Sequence, residues 1–127
     1  MQALLDTHAF AWVLLDDPAL SEGARRAIAA ANATLVSPVS LYEVGQKVRL
    51  GRWPEIAPIA AELPDLLSQA GLLAAPLTPA IALRASLMDW DHRDPFDRLI
   101  AATAEITGAQ LVSRDAVFDV LPIRRVW

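Results

Sequence analysis

Apolar and polar positions along this chain follow two alternating patterns. Short apolar runs bounded by turn residues predict buried strands. Longer stretches with apolar residues three or four apart predict helices. The strand-like runs are residues 2–5 (Gln-Ala-Leu-Leu, ending at Asp6), Thr34 to Ser37, Leu72 to Leu77 and Gln110 to Ser113, with Ile123 to Trp127 as a last edge strand. A helix is predicted from Thr7 to Leu15, broken by Asp16-Asp17-Pro18. Ser21 caps a second, running to about Ala31, with Asn32 as its stop. Ser37 as N-cap and Pro38 at the first helical position open a third, through about Leu50, ended by Gly51. Pro54, Pro58 and Pro64 break residues 52–70 into short helices, stopped by Gly71. Pro79 opens another helix, to about Met88. Asp94-Pro95 opens the clearest one: Phe96, Leu99, Ile100, Ala104 and Ile106 keep helical spacing, and Gly108 ends it. A short helical turn follows Asp115.

Strands alternating with helices in this way predict an α/β fold. The expected architecture is a mostly parallel sheet of about four to five short strands, with helices on both faces and right-handed crossovers. No repeat, low-complexity segment or linker interrupts the pattern. A chain of 127 residues is then expected to form one domain.

Composition narrows the chemistry. With 54% apolar and 20% charged residues the chain is a folded one. It has no cysteine, which excludes disulfides, thiol catalysis and thiolate zinc sites and fits a reducing cytoplasm. No apolar run approaches the roughly 18 residues that a membrane span needs. The early apolar stretch carries Asp6 and His8 and lacks a basic leader, so a secretory signal is not expected. Net charge is −4, which argues against a broad basic platform for nucleic acid. Basic residues are grouped locally instead: Lys47, Arg49 and Arg52, then Arg93 and Arg98, then Arg114, then Arg124 and Arg125.

The acids fall at informative places. Asp6 ends the first strand, and Glu43 lies in the second turn of the helix after the next strand. Asp94 and Asp97 occupy the start of the best helix, and Asp115 follows the last strong strand. In an open α/β sheet the carboxyl ends of the strands are where ligands bind, so acids far apart in sequence can converge there. Converging carboxylates repel and raise one another's pKa. A hard divalent cation such as Mg²⁺ or Mn²⁺ relieves that conflict, and such ions support phosphodiester hydrolysis. Each acid also has a plainer role. Asp94 is a good N-cap, Asp97 suits the helix dipole, Asp115 can cap the turn after it, and Glu43 with Lys47 can form an i,i+4 pair. Asp6 is harder to explain this way, since a carboxylate abutting a buried strand needs a partner.

His8 and His92 each stand alone, and a structural or solvated role is the simpler reading of both. Trp12, Trp53, Trp90 and Trp127 read mainly as core or surface anchors, with Trp53 and Trp90 available for stacking on a base. Ser37 and Ser113 lack a histidine at a spacing that would make either a nucleophile.

Four segments together resemble VapC-like PIN-domain toxins. These are Leu4-Leu5-Asp6-Thr7-His8-Ala9-Phe10-Ala11-Trp12; Ser37-Pro38-Val39-Ser40-Leu41-Tyr42-Glu43-Val44 with Lys47 and Leu50-Gly51-Arg52; His92-Arg93-Asp94-Pro95-Phe96-Asp97-Arg98-Leu99-Ile100-Ala101-Ala102; and Leu111-Val112-Ser113-Arg114-Asp115. The resemblance spans the chain, in order. It implies a three-layer PIN-like fold and a four-acid pocket of Asp6, Glu43, Asp97 and Asp115 holding Mg²⁺ or Mn²⁺, with Asp94 second in rank. It also implies a cytoplasmic endoribonuclease, a homodimer, and inhibition by a cognate antitoxin protein. Ser113 matches a polar position beside the pocket, and Thr7 is a candidate for another. Lys47, Arg93, Arg98 and Arg114 are candidates to hold RNA phosphates. Residues 52–70 match nothing specific.

Three other classes compete. A catalytically silent module of the same fold would grip a basic partner in the acidic pocket. A phosphoacceptor domain needs a lysine after the last strand, whereas the sole lysine is Lys47. An aspartate-nucleophile phosphatase needs a second aspartate two residues after the first, where His8 stands.

Overall fold

The computed structural model describes residues 1–127. Its centre is a five-stranded sheet in which every neighbouring pair is parallel. The strands are β1 (Gln2–Leu5), β2 (Ala33–Val36), β3 (Leu73–Ala74), β4 (Gln110–Val112) and β5 (Arg125–Val126), in the order β3-β2-β1-β4-β5. The helices are α1 (Thr7–Leu15), α2 (Glu22–Ala30), α3 (Pro38–Arg49), α4 (Leu63–Gln69), α5 (Pro79–Leu87) and α6 (Pro95–Thr107). Two 3₁₀ turns, Ala57–Glu62 and Ala116–Val120, complete the chain. The expected α/β fold with a parallel sheet is the one observed.

Alternation along the strands separates two cores. Ala3, Leu5, Val36 and Val112 face one side, with Phe10 of α1, Ala24 of α2, Val44 of α3, and Trp53, Ile56, Leu63 and Leu67. Leu4, Leu35 and Leu111 face the other, with Ile100, Ala101 and Ala104 of α6, and Met88 and Phe118. Both faces of β1 are therefore dry, which explains why its sequence reads as a continuous apolar run.

Two strands are shorter than the pattern suggests. The run Leu72 to Leu77 yields only Leu73–Ala74: the Ala75 N–H still reaches the Val36 carbonyl at 2.8 Å, but Pro76 has no N–H to continue the ladder. The tail contributes only Arg125–Val126, because Ile123 turns back onto the Leu121 carbonyl at 2.8 Å. Ser21, Ser37 and Asp94 are caps that the sequence pattern predicts, whereas Asp6 and Thr78 are caps that it does not single out. Asp6, Ser21, Ser37, Thr78 and Asp94 each accept a main-chain N–H in the first turn of the helix that follows. Gly108 ends α6 at φ +72°, a conformation that a side chain would strain.

Strand order runs outward from β1 through β2 to β3, then jumps back to β4 on the other side of β1. That reversal makes a crevice at the carboxyl ends of β1 and β4. Asp6 and Ser113 are the residues that immediately follow those two strands.

Candidate metal and nucleic-acid site

At the crevice the Asp6 N–H donates to the Val112 carbonyl at 3.1 Å, joining the two strand ends. Asp6 is buried, and its carboxylate accepts the Ala9 N–H at 2.8 Å. Burial pushes its pKa up, and the nearby Glu43 charge adds to that. The Ser113 hydroxyl, the Ala9 N–H and His8 work in the opposite direction.

Helix α3 brings Glu43 to the same place. Its side chain is 7% exposed, and one oxygen meets Lys47 Nζ at 3.1 Å. The other oxygen, Oε1, is buried with no hydrogen-bond partner. On the far side, α6 presents Asp97, whose Oδ2 lies 2.7 Å from His92 Nε2. Burial raises the Asp97 pKa to about 6, helped by Asp94 and Glu43 and opposed by the His92 contact. Glu43 thus acts electrostatically on both Asp6 and Asp97.

Asp94 caps α6 through the Phe96 and Asp97 N–H groups, at 2.8 and 3.3 Å. It also forms a compact group with His92 and Asp97, with one ligand atom from each within 4.8 Å of the others. Asp115 is exposed, caps the last 3₁₀ turn through the Val117 N–H at 2.9 Å, and shares a cavity with Asp6. Its own N–H is held by Ser113 Oγ at 3.1 Å.

This donor set fits a hard divalent cation. It offers carboxylate oxygens and one imidazole, and no sulfur. A buried, unpartnered carboxylate oxygen carries a cost of roughly 1–3 kcal/mol or more, which a cation at that point removes. The raised pKa values of Asp6 and Asp97 are consistent with this, since carboxylates buried without a counter-ion hold protons.

Several expected phosphate contacts are otherwise engaged. Arg98 donates from all three guanidinium nitrogens to its own chain. The acceptors are the carbonyls of Ala85 (2.8 Å), Trp90 (2.8 Å), His92 (2.9 Å), Ser86 (3.4 Å) and Met88 (2.6 Å). Five N–H donors meet five carbonyls, so no donor of Arg98 is left for RNA. Lys47 is committed to Glu43 and lies over the Trp53 ring, 5.4 Å from its centroid. Thr7 is buried, its hydroxyl donating to Ser40 Oγ at 3.0 Å, which makes it a support for the crevice rather than a surface contact. Arg93 and Arg114 remain exposed and line different pockets. Trp53, a candidate for base stacking, is 8% exposed and belongs to the core. Trp90 is half-buried against His92 and Phe118.

The histidines are where the pattern of the sequence misled. His92 is not alone, because the irregular segment before α6 folds it back onto Asp97. No periodicity signals a contact made by a loop. His8 is exposed at the lip of the crevice between the Trp12 and Trp53 rings, with centroids at 5.5 and 4.8 Å. Partial burial lowers its pKa, with Lys47 and Arg114 adding to the effect and Asp6 and Glu43 opposing it.

A family model described as the PIN domain matches residues 3–123. The chain belongs to the PIN-domain family. A curated relative, Ribonuclease VapC22 of Mycobacterium tuberculosis, is 32% identical over 113 residues, covering 88% of this chain and 85% of the relative. Solved structures share the PIN fold at lower identity. VapBC2 from Rickettsia felis, bound to a DNA fragment from its promoter, aligns with a TM-score of 0.68 at 18% identity, over 98% of this chain and 97% of that one. A toxin–antitoxin complex from Klebsiella pneumoniae gives 0.62 at 20%, over 94% and 92%. FitAcB from Neisseria gonorrhoeae gives 0.54 at 19%, over 97% and 95%.

Proposed function

We propose that this PIN-domain protein is a divalent-metal-dependent endoribonuclease, the toxin half of a toxin–antitoxin pair. The observation that carries the reading is Glu43. A buried carboxylate with one unpartnered oxygen, whose charge reaches two acids with raised pKa values, supports a cation site. The ribonuclease named among the relatives supplies the substrate class.

Asp6, Glu43 and Asp97 would hold Mg²⁺ or Mn²⁺, with Asp115 completing the set and Asp94 in second rank. The bound ion would activate a water and stabilise charge on the phosphodiester. The protein's own groups do the rest. Lys47 fixes the Glu43 carboxylate, His92 orients Asp97, and Ser113, just after β4, supports Asp6. Hydrolysis adds water across one P–O bond, leaving one phosphate-bearing and one hydroxyl-bearing RNA end. The partners under this reading are RNA, a second copy of the chain, and an antitoxin whose basic side chain can occupy the acidic crevice. No helix is long and apolar enough to cross a membrane.

The test is cleavage of total RNA by purified protein in Mg²⁺, in Mn²⁺ and in EDTA, beside Asp6→Asn. Cleavage that needs metal and vanishes in the variant is the expected result. Undiminished cleavage by Asp6→Asn, or in EDTA, would sink the metal-site reading. Tight binding of a basic peptide with no cleavage in any metal would point to the silent module instead.

A further inference from the structure

Beside the acids lies a cavity of about 370 Å³ lined by Asp6, His8, Trp12, Arg114, Asp115 and Ala116. Two of its lining groups are acids of the crevice, and three are flat: an imidazole, an indole and a guanidinium. We propose that this cavity seats one unpaired nucleotide of the RNA, its base stacked against His8 and Trp12 and its phosphate held by Arg114. The proposal rests on the ribonuclease reading above and names the contact that selects a single strand.

The flat groups are held from behind. His8 leans on the buried Trp53, with centroids 4.8 Å apart, and Trp12 leans on Trp127 at 5.7 Å. The His8 and Trp12 rings are tilted by 50° to each other at 5.5 Å, in contact and with no room for a base between them, so they form one angled wall of the cavity. Rings fixed in advance lose little freedom when a ligand arrives. Arg114 is exposed and lies over the Trp12 ring, its guanidinium carbon 4.8 Å from the centroid. From there its free donors can meet a phosphate while its plane extends the stacking wall.

Chemistry selects the ligand. Stacking on flat side chains suits any base, because every base has a π face. A base inside a duplex has both faces covered and cannot stack on this wall, so the wall discriminates for unpaired segments. A nucleotide seated against Asp6 and Asp115 also sets its phosphodiester at the proposed cation site. His92 and Arg93 line a neighbouring groove, and a further pocket lined by both Ala116 and His92 adjoins the two.

The experiment compares His8→Ala, His8→Phe and Arg114→Ala. Cleavage in Mn²⁺ is measured on a short fluorescein-labelled single-stranded RNA of mixed sequence and on the same strand annealed to its complement. Binding is read separately by anisotropy on an Asp97→Asn background, which holds the strand uncleaved. The expected result is a KM raised roughly tenfold or more by His8→Ala, a larger change than in kcat, and recovered by His8→Phe. Arg114→Ala should weaken binding and flatten its salt dependence by about one phosphate contact. The wild type should prefer the single strand. Failure of His8→Phe to restore binding would overturn stacking as the role of His8. Unchanged binding and cleavage in both alanine variants, with metal-dependent cleavage intact, would overturn the proposal and leave the ribonuclease standing. Absence of any wild-type cleavage would remove both.

Discussion

Arg98 and His92 are joined twice over. The Arg98 guanidinium donates to the His92 main-chain carbonyl at 2.9 Å, while the His92 imidazole sits 2.7 Å from Asp97, the residue just before Arg98. Two adjacent residues of α6 thus hold one histidine by its backbone and by its side chain. The other carbonyls that Arg98 engages, from Ala85 to Trp90, belong to the end of α5 and the segment after it. One guanidinium fixes the whole approach to the helix.

Replacing Arg98 should therefore cost stability first. Arg98→Lys keeps the charge but loses the planar fork that reaches five carbonyls. We expect a loss of about 2–4 kcal/mol, read as a lower urea midpoint, with Arg98→Met at least as severe. A midpoint like the wild type's would show that the carbonyls re-pair with water at no cost.

His92→Ala should act on the site rather than on the fold. With its orienting contact gone, Asp97 is free to rotate. Metal affinity should fall roughly 10- to 100-fold, the usual cost of losing a group that orients a ligand. Titration calorimetry with Mn²⁺ reads this directly, and thermal denaturation in EDTA should move little.

Asp97 also sets the pH dependence of the metal-free protein. Its pKa is raised to about 6 in the fold, from 3.8 in the open chain. The folded state therefore binds the proton more tightly. Its stabilising effect is complete at low pH and is lost as pH rises from about 4 through 6. Asp6 is shifted in the same direction. In EDTA the melting temperature should fall across that window, and Asp97→Asn should flatten the fall and raise stability at neutral pH by about 1–3 kcal/mol. A melting curve of Asp97→Asn that tracks the wild type at every pH would contradict the burial argument.

Gly23→Ala inverts a common rule. Alanine inside a helix normally stabilises it. Here an added Cβ would lie 2.5 Å from the Trp127 carbonyl oxygen, where α2 and the tail touch. Backbone has to move, so we expect a loss of about 1–3 kcal/mol by thermal denaturation.

The sheet, its parallel sense and most N-caps were legible because they follow from local pattern. Apolar runs, Ser or Asp before a helix, and Gly after one act within a few residues of where they stand. The four acids stood out by position at the ends of strands and the starts of helices. What the pattern could not show was how side chains with several possible partners choose among them. Arg98 could face solvent or carbonyls; only the path of the segment after α5 decides, and that path has no periodicity. Trp53 could stack on a ligand or fill the core, and it fills the core because the chain between α3 and α4 folds it under His8. Histidine escaped for a related reason. Its contacts cross from a loop or a strand end to another element, and nothing in the neighbouring residues records them.

The placement of β1 between β2 and β4 has a consequence for the order in which the molecule comes into being. Asp6 precedes the strand that completes its crevice, Gln110–Val112, by more than one hundred positions. Ser113 and Asp115 follow that strand, and β5 can pair with it only once Val126 has been made. A nascent chain that has finished β2 and α3 already carries Asp6 and Glu43, but it lacks Asp97, Asp115 and one wall of the site. Parallel pairings across such distances form late. Under the proposed function, the capacity to cut RNA arises only after α6 and β4 have been made.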